Sequence, residues 1–200
     1  MVNPLIYRIT CSSLVHLLSL PLDITSTTLL TNEQYNFQIK EIKNILISAI
    51  FFSLQNLIYE NINFVDNLQI KSATTGLIST PFYLYHEIYK IVSRYNFKIS
   101  EQYIGKIVLI GTIRQISMTV FLYTFSMTNN PYFGFFLTLL ANFYGIFIKK
   151  YIIILAFPNI SLNCNNNNKI IYLLEIFRSS FNDFLTFKLL YNFSYSPFLK

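Results

Sequence analysis

The chain has 200 residues, of which 53% are hydrophobic and 12% charged, with a formal net charge of +6 and a mean hydropathy of +0.44. Globular domains carry about 25% charged residues, so this composition excludes an ordinary water-soluble domain and calls for lipid to cover the apolar surplus. The bases are scattered without a Lys/Arg-rich run, which excludes a nucleic-acid interface, and Cys11 and Cys164 are too few and too isolated for a disulfide framework or a metal site.

Residues 9–30 form the first predicted segment. They are apolar but interrupted by His16, Pro21 and Asp23. By hydropathy alone this segment suits the membrane interface, and it lacks the small-x-small cleavage site of a signal peptide. A polar connector with Glu33, Lys40, Glu41 and Lys43 leads into residues 44–59, a short, strongly apolar span with Gln55 as its main polar residue. Residues 73–92 are weaker, with Pro81, His86 and Glu87 among apolar neighbours, and a basic connector follows that contains Lys90, Arg94, Lys98 and Lys106.

Residues 107–127 then read as a strong span whose one charge, Arg114, stands near its middle. About 20 apolar residues cross a bilayer core of roughly 30 Å. A guanidinium at that depth costs about 2.5–3.5 kcal/mol on insertion scales, so it faces a bundle interior or a wet cavity. Asn129-Asn130-Pro131 marks a turn. Residues 133–148 are apolar throughout, Lys149-Lys150 interrupts, and residues 151–157 resume up to Pro158. An Asn-rich loop at 163–168 precedes the last span, 170–191, which carries Glu175, Arg178, Asp183 and Lys188.

Six segments result: the first, third and fifth are weak, each holding a proline near its C-terminal end (Pro21, Pro81 and Pro158), the second and fourth are strong, and the sixth is helical but more polar. Among the even segments, Tyr59, Tyr123 and Phe187 recur at intervals of 64 residues, as do Arg114 and Arg178. If both termini share one side, the connectors inside each pair hold Lys40, Lys43, Lys90, Arg94, Lys98, Lys106 and Lys169. The other side holds Arg8, Lys71, Lys188 and Lys200. This bias places the former connectors on the inner side of the membrane.

Helix pairs with a Pro-kinked first member, three times over, resemble the mitochondrial carrier family. Ser19-Leu20-Pro21-Leu22-Asp23 is similar to the P-x-[D/E] element that ends that family's odd helices, and Ser72 to Phe82 resembles the approach to the second such element. The run from Gly111 to Tyr123 resembles a family even helix, and Phe177-Arg178 with Phe187 and Tyr191 has the same look. The resemblance implies an all-α membrane protein. Its six transmembrane helices would form three two-helix pseudo-repeats, about 1–66, 67–128 and 129–200, around a central cavity in one domain. It further implies exchange of a small anionic metabolite across an organelle inner membrane, that of a mitochondrion or a related organelle.

The family closes its matrix side with a ring of salt bridges between these motifs. Here Asp23 is acidic, but Tyr83 and Ile160 occupy the corresponding places, and Ser26, His86 and Asn163 stand at the basic ones. At most an Asp23–His86 pair survives. The chain is also shorter than the roughly 300 residues usual in the family, without room for its matrix helices.

The resemblance places Arg114 and Gln115 at the substrate contact of the fourth helix and Arg178 at the matching place on the sixth. Arginine presents a planar fork that suits a carboxylate. The plainer alternative pairs Arg114 with Glu175, Asp183 or a backbone carbonyl, and Arg178 with Glu175 one turn before it. Lys149 and Lys150 point about 100° apart on a helix, so one reading has one lining the cavity while the other snorkels; the favoured reading ends the fifth span at Ile148 and leaves both in water. His16 and His86 are candidates for proton relay, and His86 beside Glu87 suits an interfacial pair. Ser72-x-x-x-Gly76 and Ala141-x-x-x-Gly145 permit close helix packing. No catalytic motif, cofactor fingerprint or metal spacing is present, so the chain is not expected to be an enzyme. The alternative to a transporter is a carrier-derived membrane protein that transports nothing and acts as insertase, adaptor or scaffold.

Overall fold

A computed structural model describes residues 4–31, 38–125, 130–158 and 168–194. Among these residues the chain is all-helical: α1 (Pro4–Thr31), α2 (Lys40–Asn61), α3 (Leu68–Tyr95), α4 (Ile104–Phe125), α5 (Pro131–Ala156) and α6 (Asn168–Ser194), with a single 3-10 turn, Glu101–Tyr103, leading into α4. Each helix packs on its neighbours in sequence, and α6 returns to α1, so the bundle closes on itself. Short connections make successive helices antiparallel. The C-terminal ends of α1, α3 and α5 therefore meet the N-terminal ends of α2, α4 and α6 at one end of the bundle.

Asparagines set several of the boundaries. The Asn67 side chain accepts from the backbone N–H groups of Gln69 and Ile70, starting α3. Asn130 does the same for Tyr132 and Phe133, with Pro131 in the first turn. These are N-caps that satisfy otherwise orphaned donors. Asn96 ends α3 in the left-handed region at φ 55°, which asparagine tolerates better than most residues.

Among the described residues four helices, α1, α2, α4 and α5, are long and apolar enough to cross a membrane. The expected weakness of the first and fifth segments is therefore corrected, whereas the third and sixth are weaker than the rest, as expected. It is α3 and α6 that fall short of the others, because they carry the charges that pair inside the bundle. Helix α5 runs unbroken through Lys149 and Lys150, and Pro158 follows its end as an exposed turn residue instead of lying inside it. Pro21 and Pro81 lie within α1 and α3, well before their C-termini, and both are exposed on the outer side. The third motif's Ile160 and Asn163, Cys164, and the side chains of Phe187 and Tyr191 lie outside what is described.

The side-chain distribution is inverted relative to a water-soluble bundle. Leu17, Leu18, Leu109, Phe136, Phe143 and Phe147 point outward and are exposed, whereas Ser12, Ser53, Ser72, Thr75, Thr119, Thr138 and Ser180 are fully enclosed. Many of the enclosed hydroxyls donate to the carbonyl a turn earlier, as Thr75 does to Lys71 and Ser180 to Ile176. Small residues at the contacts let backbones approach closely. At Gly76 an added Cβ would lie 2.6 Å from Ile116 Cα and 2.9 Å from Gln115 O, so α3 and α4 touch backbone to backbone there. At Gly145 the same Cβ would sit 2.9 Å from Met118 Sδ. Both small-x-x-x-small patterns thus mark helix contacts. A polar interior inside an apolar shell is what a bilayer solvates and water does not.

Candidate functional site: a central polar cavity and its ion-pair ring

A cavity of about 70 Å³ lies inside the bundle, and all six helices contribute to its wall. His16 comes from α1, Gln55 from α2, Glu87 from α3, Arg114 from α4, Asn142 from α5 and Asp183 from α6. Arg114, Gln115 and Arg178, the three expected substrate contacts, all line it.

Arg114 does not pair with an acid among the described residues. Its Nε donates to the Gly145 carbonyl at 3.0 Å, and its guanidinium lies 4.5 Å over the Tyr83 ring. The Gly145 contact matches the backbone-carbonyl alternative, and the close approach at Gly145 makes it possible. The cation–π contact supplies further stabilisation of about 0.5–2 kcal/mol. Next to it, Gln115 Nε2 donates to Gln55 Oε1 at 3.0 Å and to Ser79 Oγ at 3.2 Å, binding α4 to α2 and α3. Across the cavity the Asn142 amide donates to Asp183 Oδ2 at 2.8 Å.

Arg178 belongs to a ring of ion pairs that closes one end of the cavity. Asp23 on α1 binds Lys90 at 3.0 Å and Arg178 at 3.0 Å. One turn before Lys90 on α3, Glu87 binds Lys149 of α5 at 2.9 Å. Lys149 continues to Glu175 of α6 at 3.1 Å, and Glu175 to Arg178 at 2.5 Å, which returns the chain of charges to Asp23. Arg94 joins from below, between Asp23 and the wholly buried Glu41 of α2. Side chains here are at most 15% exposed, so the attractions act with little solvent screening.

Several expectations are corrected by this ring. Asp23 does not pair with His86. His86 shares a hydrogen bond of 2.6 Å with Ser48 and stacks on Phe51, while Lys90, one helical turn further along α3, reaches Asp23. His86 and Glu87 are not interfacial; both line the interior. Lys149 is not in water but between two carboxylates, and Lys150 lies against Tyr172, with its ammonium 5.0 Å from the ring centroid. Lys90 and Arg94 also drop out of the loop-charge count that oriented the chain. The Arg178–Glu175 pair stands as expected.

From the sequence, Glu41, Lys90 and Arg94 are read only as connector charges, and Glu87 only as a neighbour of His86. A signal was there: Glu87, Lys90 and Arg94 recur at i, i+3 and i+7, one face of a helix. Reading Lys90 and Arg94 as part of a connector hid it.

At the opposite end, Arg8 binds Glu60 at 2.7 Å, tying α1 to α2. Tyr59 stacks on Tyr123 with ring centroids 4.1 Å apart, Tyr123 donates to Asn56 at 2.7 Å, and Lys71 covers Tyr59 at 4.7 Å. The cavity is thus bounded by contacts between helices at both ends.

No family model, curated protein or solved structure matches this chain.

Proposed function

We propose that the protein is a multi-pass membrane transporter, carrier-like in plan, that exchanges a small anionic metabolite across an organelle inner membrane of mitochondrial type. The observation that carries the reading is Arg114: a buried guanidinium in a cavity walled by all six helices, without an acidic partner among the described residues. Such a charge is expensive in a membrane interior and marks a solute path. Arg114 and Gln115 would meet a carboxylate at mid-depth, with Arg178 at the floor. In this reading all six helices cross the bilayer, α3 and α6 being admitted because their charges neutralise one another within the bundle.

Alternating access needs contacts that break at one end while others hold. The ring through Asp23, Lys90, Glu87, Lys149, Glu175 and Arg178 supplies such a set at one end, and the Arg8–Glu60 pair with the Tyr59–Tyr123 stack supplies it at the other. The three pseudo-repeats of the sequence reading belong to this proposal. The recurrence at 64 residues that relates Tyr59 to Tyr123 and Arg114 to Arg178 supports them. A cavity of about 70 Å³ suits a solute of a few heavy atoms and is smaller than the roughly 300–1,000 Å³ sites of drug-sized ligands.

One observation favours the second reading, a carrier-derived protein that acts as insertase, adaptor or scaffold: Gln115, Gln55 and Ser79 satisfy one another without a ligand. Reconstitution separates the two. Purified protein in liposomes is expected to exchange labelled small carboxylates, and Arg114→Ala is expected to abolish the exchange. Exchange that survives the substitution refutes the site; a folded protein that moves no solute refutes transport.

A further inference from the structure

The charges that line the cavity sort into two groups. Glu87, Lys90, Lys149 and Arg178 each have a counter-charge within 3.1 Å in the ring. The remaining two, Arg114 and Asp183, have none among the described residues, although they are only 8% and 7% exposed. They are of opposite sign, yet they do not pair with each other. Each is instead hydrogen-bonded to a neutral group of α5, Arg114 to the Gly145 carbonyl through Nε and Asp183 to the Asn142 amide through Oδ2, and Arg114 also lies over the Tyr83 ring of α3. The terminal guanidinium nitrogens and Asp183 Oδ1 are thereby left for a guest.

Asn142 and Gly145 are three residues apart, so their anchor points rise about 4.5 Å along one face of α5. A cation and an anion are thus fixed at neighbouring heights on one wall of a small cavity. A simple anion would satisfy Arg114 and leave Asp183 buried, unpaired and repelled by the guest. A simple cation would do the converse. Leaving a buried charge uncompensated costs several kcal/mol. A small solute that carries both a carboxylate and an ammonium group meets both at once and adds no net charge to a neutral set.

We infer that the solute is a small zwitterion of the amino-acid class, with its carboxylate on Arg114 and its ammonium on Asp183. The inference rests on the transport reading above; it keeps that reading's carboxylate on Arg114 and replaces the net anion with a net-neutral amino acid.

L-Alanine and L-lactate are nearly the same size and differ by an ammonium group in place of a hydroxyl. Full-length protein in liposomes loaded with the unlabelled solute is expected to exchange labelled alanine at least about tenfold faster than labelled lactate, since a site with a buried charge rejects the analogue that cannot pair it. Asp183→Asn is expected to lower alanine exchange about tenfold or more and to remove the preference over lactate. Retained lactate exchange or an unchanged thermal unfolding midpoint shows that this variant is folded. Equal rates for the two solutes in the unsubstituted protein, or an unchanged preference in folded Asp183→Asn, overturn the zwitterion site and leave carboxylate exchange standing. Absence of exchange of either solute, and of any other small carboxylate, by folded protein overturns the transport reading and this inference with it.

Discussion

Asp23→Asn is the substitution that tests the ring most directly. Asp23 touches three cations: Lys90, Arg94 and Arg178. Two of them keep a carboxylate when it is lost, Arg94 through Glu41 at 2.8 Å and Arg178 through Glu175 at 2.5 Å. Lys90 loses its ion-pair partner and is left 12% exposed in the interior. Breaking a buried pair from one side costs about 3–5 kcal/mol, chiefly as the penalty of the stranded charge. Because one cation of three is stranded, the lower figure applies, and Asp23→Asn is expected to cost about 3 kcal/mol. Lys90→Met leaves Asp23 with two guanidinium partners and is expected to cost about 1 kcal/mol. The double variant strands nothing, so its cost is expected to fall about 2 kcal/mol short of the sum of the singles, a coupling of the size found for contacting residues. Unfolding of the purified protein in detergent micelles, followed by helical circular dichroism, measures all three. Asp23→Asn within 1 kcal/mol of the parent, or additive single and double variants, would refute the ring as an energetic unit.

Gly76→Ala is expected to destabilise by about 1–2 kcal/mol in the same assay. The new Cβ meets the α4 backbone, and overpacking of this kind costs about 1–3 kcal/mol, offset by up to about 1 kcal/mol of helix propensity. Gly105→Ala, where the Cβ meets nothing within 4 Å, is expected to be neutral or stabilising by up to about 1 kcal/mol; the reverse order would sink the backbone-contact account. Tyr123→Phe removes the hydrogen bond to Asn56 from a side chain 1% exposed. It is expected to lower the unfolding free energy by about 1 kcal/mol while leaving any solute preference at Arg114 unchanged in the exchange assay.

Much of this molecule is legible without coordinates. An apolar surplus, spans of bilayer length and the Asn129-Asn130-Pro131 turn before α5 are properties of neighbouring residues, and they delimit helices by local chemistry. Arg114 stands out by the same local logic, as a lone charge in an apolar run. So do the small residues at Gly76 and Gly145, where close packing requires the absence of a side chain.

The ring is different. Hydropathy scores Lys90, Lys149, Glu175 and Arg178 one at a time, each as a charge to be kept from lipid, so Lys90 is assigned to a connector and Lys149 to water. Their cost depends on partners on other helices, and those partners are set by how six cylinders pack. Asp23 and Arg178 are far apart in sequence and 3.0 Å apart in space. The same packing leaves Arg114 and Asp183 as the two charges of the cavity wall without a counter-charge among the described residues, which no local pattern reveals. The chain's composition calls for a membrane around it; the packing of its helices decided which of its charges meet a counter-charge inside the bundle.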